Sequence, residues 1–343
     1  MLKRHSAVWV WLAAVLFAVA CGALLVIAIG VPLGDALSAF AEGAWGLPYA
    51  VAASINRALA LGLVGLGFVF ANRANLTNVG GEGQIAAGGV AATAVALYGG
   101  ASQLPAPMSF LLPMLVAALA GGLWGGVAGV LKAKVGTNEV ISTLLLSFVA
   151  VWLLYWSVQS ESLLRQPMTT TATLPESKEI PDITKLPLLG ADASTPLHIG
   201  LLGALVLALI VFVVLDKTAF GVRLRALGLN AVAARRAGIP IQSSIVLALF
   251  VAGAFMLQGD QYSLKARFSS GYGFDGLVVG LLARGSVLGV MASALLFGFL
   301  RSGGINMEMA ASVPSALVLI IQGLIIVTLA GAAYWLRGRE STK

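Results

Sequence analysis

The chain has 343 residues, 59% of them hydrophobic and 10% charged, with a mean hydropathy of +0.95. A soluble domain carries roughly 25% charged residues, so this composition excludes a water-solvated surface and fits hydrocarbon instead. The formal net charge of +7 does not indicate nucleic acid, because the basic residues sit at the ends of apolar runs, where membrane proteins place them on the cytoplasmic side.

The apolar runs are long and continuous rather than alternating, which excludes a β-barrel. Backbone polar groups in lipid must be paired internally, so the fold class is all-α and polytopic. The first run, Ala7 to Gly30, follows Lys3, Arg4 and His5. It is too long for a signal-peptide core and lacks a small-residue cleavage site, so it reads as a retained helix. It contains Cys21, the single cysteine, which leaves no basis for an internal disulfide or a cysteine metal site. Further runs cover 48–70, 84–99, 109–131, 138–158, 197–215, 244–258, 274–284, 286–301 and 313–335, giving about ten crossings. The short, glycine-interrupted runs point to broken helices around a buried path.

Charge sets the expected orientation. Lys132 and Lys134 mark one cytoplasmic turn. Segment 216–243 carries Lys217, Arg223, Arg225, Arg235 and Arg236 against Asp216, and the C-terminal tail has Arg337, Arg339 and Lys343. Ten crossings put these on the side of the N-terminus, with loop 159–196 and its Glu161, Glu176, Glu179, Asp182 and Asp192 outside. A re-entrant first part of 274–301 would reverse the C-terminus. A weak internal repeat relates Gly125–Leu145 to Leu296–Ala316. In each, an apolar helix passes through a basic turn and an Asn–Glu step (Asn138-Glu139; Asn306 and Glu308) into another helix. With ten crossings the copies are inverted, as in many transporters.

No phosphate-binding loop, zinc-protease motif, cysteine pair or serine elbow occurs, so the chain is not expected to be an enzyme. Information lies instead in polar residues within apolar surroundings. The first cluster is Arg73-Ala74-Asn75-Leu76-Thr77-Asn78-Val79-Gly80-Gly81-Glu82-Gly83-Gln84. Its glycines fit an unwound or tightly packed stretch, and Asn78 and Gln84 can bond a polar ligand. Glu82 more simply pairs with Arg73 or caps the following helix. In the second cluster, Gly136 to Thr143, Thr137 is expected to cap a helix whose first turn holds Glu139. Asn138, Ser142 and Ser147 are path candidates, although serine back-bonding is the simpler account of Ser142. The third cluster, Ser269 to Gly276, offers Tyr272 and Phe274 as stacking groups or interfacial anchors, with Asp275 beside them. The fourth, Gly221 to Ile239, holds a short helix from Ala231 to Ala237 that ends at Gly238, with Pro240 beyond it. A structured basic segment at this boundary reads as a docking element, or as a loop near anionic headgroups.

Together these clusters resemble the permease family of bacterial ABC importers for simple sugars, nucleosides and branched-chain amino acids. Arg73–Gln84 resembles its R-A-G-L-F-N-I-G-x-E-G-Q stretch, with Asn75 and Thr77 in place of Gly and Phe. Gly136–Thr143 is similar to its N-E-V-I-x-T segment. Gly228–Ile239 resembles its G-x-N-x-x-A-A-R-x-A-G-I coupling segment. Gly271–Gly289 is similar to its G-x-G-F-x-G-I-A-V-A-L-L-G-R-x-N-P-L-G run, with Ser286-Val287 for Asn-Pro. The N-E-V-I motif and the loop containing Ala172-Thr173-Leu174-Pro175 are most similar to nucleoside-type permeases. Leu145-Leu146-Ser147-Phe148 departs from the family's M-L-N-Y, removing an amide.

The resemblance implies one transmembrane permease domain over 1–343 with a vitamin-B12-importer-like fold. It implies a second permease subunit of a different chain, ATP-binding subunits and an extracytoplasmic solute-binding protein. Binding of ATP and Mg then belongs to the partners, with no cofactor on this chain. The implied location is a bacterial inner membrane, with both termini cytoplasmic. Substrate-path candidates are the Ala74–Asn75 step, Asn78, Glu82, Gln84, Asn138, Ser142, Ser147, Tyr272 and Phe274. Coupling candidates are Gly228, Asn230, Ala233, Ala234, Arg235, Arg236 and Gly238. The rivals are a sugar or branched-chain amino acid permease, an ion-coupled transporter using Glu82 or Asp275, and a channel or scaffold.

Overall fold

A computed structural model describes residues 2–167, 175–190, 195–254, 263–265, 268–269 and 271–341. Ala172–Leu174, Asp192, 255–258, Ser270 and Lys343 lie outside them. Thirteen α-helices occur among the described residues: α1 Leu2–Ala28, α2 Leu33–Ala41, α3 Pro48–Asn72, α4 Gly81–Tyr98, α5 Met108–Val135, α6 Glu139–Gln159, α7 Gly200–Lys217, α8 Ala219–Leu229, α9 Ala231–Arg236, α10 Ile241–Ala254, α11 Tyr272–Leu282, α12 Val287–Ala311 and α13 Ser315–Ser341. Extended pairing among these residues is limited to isolated bridges at Arg165–Ser177, Glu176–Lys265 and Leu188–His198. Each of the ten apolar runs meets a helix. The helices α3, α5, α6, α7 and α12 are each long and apolar enough to cross a membrane, and the chain is a multi-pass membrane protein.

The chain divides into two compact units, Met1–Arg57 with Gly298–Lys343, and Ala58–Phe297. In the larger unit, α5 shows why the glycines are so numerous. One stripe, Leu111, Leu115, Leu119, Leu123, Val127 and Val130, faces outward, while Ala117, Gly121, Gly122, Gly125, Gly126, Ala128 and Gly129 are buried. Large side chains serve equally well in lipid, so packing between membrane helices favours the small ones. The glycine face lets α10 approach until its Leu249 carbonyl and Val246 Cα occupy the space of the missing side chains. A second core joins Val64, Ile85, Ala86, Ala150, Leu154, Val158, Leu164, Leu264 and Phe268. The loop after α6 is tied down in part by Lys185, 2.6 Å from both Glu179 and Asp182. The Asp182 carboxylate, and then Glu179, hold the Lys185 ammonium above the usual lysine range.

In the smaller unit, Val26, Ala36, Ala39, Met307, Val313 and Leu317 form one core. Helix α2 and the π turn Glu42–Gly46 that follows it fill the gap the apolar runs leave at 31–47. The turn is held by Ser54, whose hydroxyl donates to the Ala44 carbonyl at 3.0 Å. Arg57 donates to Ser302 at 2.8 Å. The expected second basic turn is corrected here: Arg301 to Glu308 lies inside α12, and the break comes at Ser312–Pro314.

Candidate functional site

The four polar clusters converge on residues 73–84, the link between α3 and α4. The link begins with a tight turn at Asn75, held at φ 58°, a conformation asparagine tolerates better than most residues. It continues to Asn78, whose Oδ1 accepts the Gly80 amide at 2.9 Å and whose Nδ2 donates to Gln84 Oε1 at 3.2 Å. Asn78 is 4% exposed and Gln84 1%. Buried amides need partners, and here they partner each other across the start of α4.

Helix α6 closes against this link. Thr143 Oγ1 accepts the Val79 amide at 3.1 Å, and Ser147 Oγ accepts the Gly83 amide at 3.3 Å while donating to the Thr143 carbonyl at 3.1 Å. Position 83 has to be glycine, because a Cβ there would lie 2.5 Å from Ser147 Cα. At the start of α6, Glu139 accepts from Lys132 at 2.8 Å and reaches the Thr77 backbone.

Helix α11 is joined from the other side. The Glu82 carboxylate accepts the Gly271 amide at 3.0 Å with one oxygen and the Gly273 amide at 2.9 Å with the other. Gly271 is the N-cap of α11 and Gly273 lies in its first turn, where orphan amides and the helix dipole favour an anion. Tyr272 packs against the second core, while Phe274 is 41% exposed.

The basic segment completes the ring. Asp216, at the end of α7, receives Arg73 at 2.9 Å and Arg225 at 3.1 Å. Arg73 also donates to the Gly285 carbonyl at 3.1 Å. Gly228 of α8 lies flat on the turn, and a Cβ there would sit 2.5 Å from the Arg73 carbonyl oxygen. Asn230 caps α9, its Oδ1 accepting the Val232 and Ala233 amides at 3.0 Å each. Ala234 is buried, Gly238 ends the helix at φ 77°, and Arg235 and Arg236 are exposed.

Residues 50–330 match the protein family described as branched-chain amino acid transport system / permease component. The chain belongs to that permease family. It is 33% identical to the guanosine ABC transporter permease protein NupP of Bacillus subtilis, an alignment spanning 97% of this chain and 95% of NupP. It is 35% identical to the glucose ABC transporter permease protein TsgB13 of Haloferax volcanii, over 95% of this chain and 87% of TsgB13. It is 28% identical to the nucleoside ABC transporter permease protein NupB of Lactococcus lactis, over 100% of this chain and 98% of NupB.

Two expectations for this permease are corrected. Glu82 neither pairs with Arg73 nor caps its own helix; Arg73 is engaged by Asp216, and Glu82 serves α11. Thr137 does not cap α6. Asn138 does, accepting Val140 and Ile141 amides at 2.9 and 3.4 Å, and Thr137 Oγ1 has no hydrogen-bond partner. Asn78, Glu82, Gln84 and Ser147 are brought together, with Ala74 buried beside Gly228. Asn75 and Asn138 are exposed and stand apart. Ser142 bonds back to the Glu139 carbonyl at 3.3 Å. The Asp216 network was missed by sequence reasoning. Its signal was Asp216 itself, the one acid in a strongly basic segment.

Proposed function

We propose that the whole chain is one permease domain of an ATP-driven importer that carries a nucleoside or a related small polar solute. The observation that carries this reading is the near-full-length similarity to NupP and NupB, whose names specify guanosine and nucleoside. In this reading the chain crosses a bacterial inner membrane about ten times with a vitamin-B12-importer-like fold, both termini cytoplasmic. An extracytoplasmic binding protein delivers the solute, and a different permease chain completes the path. Partner subunits bind and hydrolyse ATP with Mg; this chain binds no cofactor and catalyses no reaction.

Coupling is assigned to Gly228, Asn230, Ala233, Ala234, Arg235, Arg236 and Gly238. Around them Leu229, 82% exposed, and Val232, 63% exposed, offer apolar anchors within a basic surface suited to a partner. Motion of α8 reaches the Arg73–Asn75 turn through Gly228 and Asp216, and from there α4, α6 and α11. The path candidates remain Asn78, Glu82, Gln84, Asn138, Ser142, Ser147, Tyr272 and Phe274, with the Ala74–Asn75 step at one end. Within this set Glu82 acts as a clamp between α4 and α11. Both of its oxygens hold amide donors, so it is a poor ion site, which weighs against the ion-coupled rival.

The test is uptake of radiolabelled nucleosides, sugars and branched-chain amino acids in cells with and without the gene, with membrane potential collapsed and ATP maintained. Gene-dependent nucleoside uptake that survives collapse is expected. Sugar uptake alone would favour the second reading, which the similarity to TsgB13 supports. Uptake that vanishes with the potential would overturn the ATP-driven mechanism.

A further inference from the structure

An open cleft of about 590 Å³ lies beside the 73–75 turn, lined by Asn72, Arg73, Asp216, Arg225, Arg284 and Ser286, and also by Gly228 and Leu229 of the proposed coupling segment. Three guanidiniums against one carboxylate give this lining a formal charge of +2. Arg73 and Arg225 already share a single oxygen, Asp216 Oδ1, and Arg73 Nε is buried without an acceptor. Charge-assisted hydrogen bonds from such a cluster favour an anion. The depth of the cleft is informative. Asn72 is the last residue of the membrane-length helix α3, and Asp216 stands one residue before the end of α7. Where apolar spans end, lipid phosphates begin, and basic pockets between such helices take anionic headgroups.

We propose that this cleft binds a phosphate group at headgroup level, with Arg225 and Arg284 as the contacts and Arg73 as the buried donor behind them. The phosphate of an anionic phospholipid and free phosphate share this chemistry, and the experiment separates them. Short-chain phosphatidylglycerol, phosphatidylcholine and inorganic phosphate are titrated onto the full chain in neutral detergent, and apparent Kd is read from the rise in unfolding temperature. Wild type is expected to respond to phosphatidylglycerol and not to phosphatidylcholine. An equal response to inorganic phosphate identifies free phosphate as the source; its absence identifies the lipid.

Arg225→Gln is expected to weaken binding roughly fivefold, and the Arg225→Gln/Arg284→Gln double variant roughly thirtyfold. Lys134→Gln removes an exposed charge of the same sign outside the cleft and should leave Kd unchanged. Asp216→Asn raises the cleft's positive excess and should tighten binding roughly fivefold. This last variant still judges the site if the double variant does not fold. The proposal is overturned if wild type binds neither phosphate probe, if Lys134→Gln weakens binding as much as Arg225→Gln, or if Asp216→Asn fails to tighten it.

Discussion

Two stretches of this permease read alike and fold differently. Lys132–Glu139 and Arg301–Glu308 each contain a base, glycine, asparagine and glutamate between apolar runs. In the first, the chain turns: Gly136 takes φ 74°, and Asn138 bonds the amides that open α6. In the second, α12 runs straight through. Asn306 points sideways and donates to the Ala39 carbonyl at 2.7 Å, and Gly303 meets the Phe40 ring. Glycine permits a break but does not impose one. In the first stretch the break combines a left-handed residue with a cap acceptor two positions further on, and a glycine whose missing side chain admits a neighbour can instead hold a helix in place. The second stretch breaks later, where Ser312 adopts φ 55° and Pro314 follows.

The difference extends to what each stretch is attached to. The first is wired into the 73–84 link, whose other anchor is Glu82, and the sharpest way to test that wiring is to cut the anchor. Glu82→Ala leaves the Gly271 and Gly273 amides without their acceptor and should lower stability by about 3 kcal/mol. Thermal unfolding of the purified chain measures this, and transport should fall with it. A Glu82→Ala protein as stable as wild type would mean that α11 does not depend on the link.

The second stretch is tested by crowding. Gly303→Ala puts a methyl group 2.5 Å from the Phe40 ring and should cost about 2 kcal/mol, because ring and helix must both shift. At Gly136 a Cβ meets nothing within 4 Å, so Gly136→Ala should cost only the left-handed penalty, about 1 kcal/mol. Equal losses at the two positions, measured by the same unfolding assay, would erase the distinction between a packing glycine and a turning glycine.

Much of the fold was legible because hydrocarbon imposes a simple rule: long apolar runs become helices. The ten runs were found this way, and the short α9 was read from its stop at Gly238 and Pro240. Helix α2 was not, because nine residues including Asp35 and Ser38 lack the length of a span. Helix α8 was read as loop because four charges fall on or beside it. The polar clusters were visible as residues, but their partners were not. Nothing local indicates that Glu82 serves amides 189 and 191 positions away, or that Asp216 gathers Arg73 across 143. Thr137 was chosen as cap over Asn138 because both residue types cap well, and register within one residue is decided by the φ of Gly136.

The smallest expected effect tests how much the Lys132–Glu139 pair adds to a turn that Gly136 and Asn138 already define. The ion pair is short, 2.8 Å, but its side chains are 31% and 14% exposed. A partly solvated pair of this kind contributes about 0.5 kcal/mol, and added salt weakens it. Lys132→Gln should therefore lower the unfolding temperature slightly at low ionic strength and by less at high ionic strength. Glu139 stays in place in that variant because the Thr77 backbone still holds it. A loss of several kcal/mol that ignores salt would show instead that Lys132 is what keeps Glu139 against the link. The closure of α6 on residues 77–83 would then depend on a charge rather than on Thr143, Ser147 and the glycines they touch.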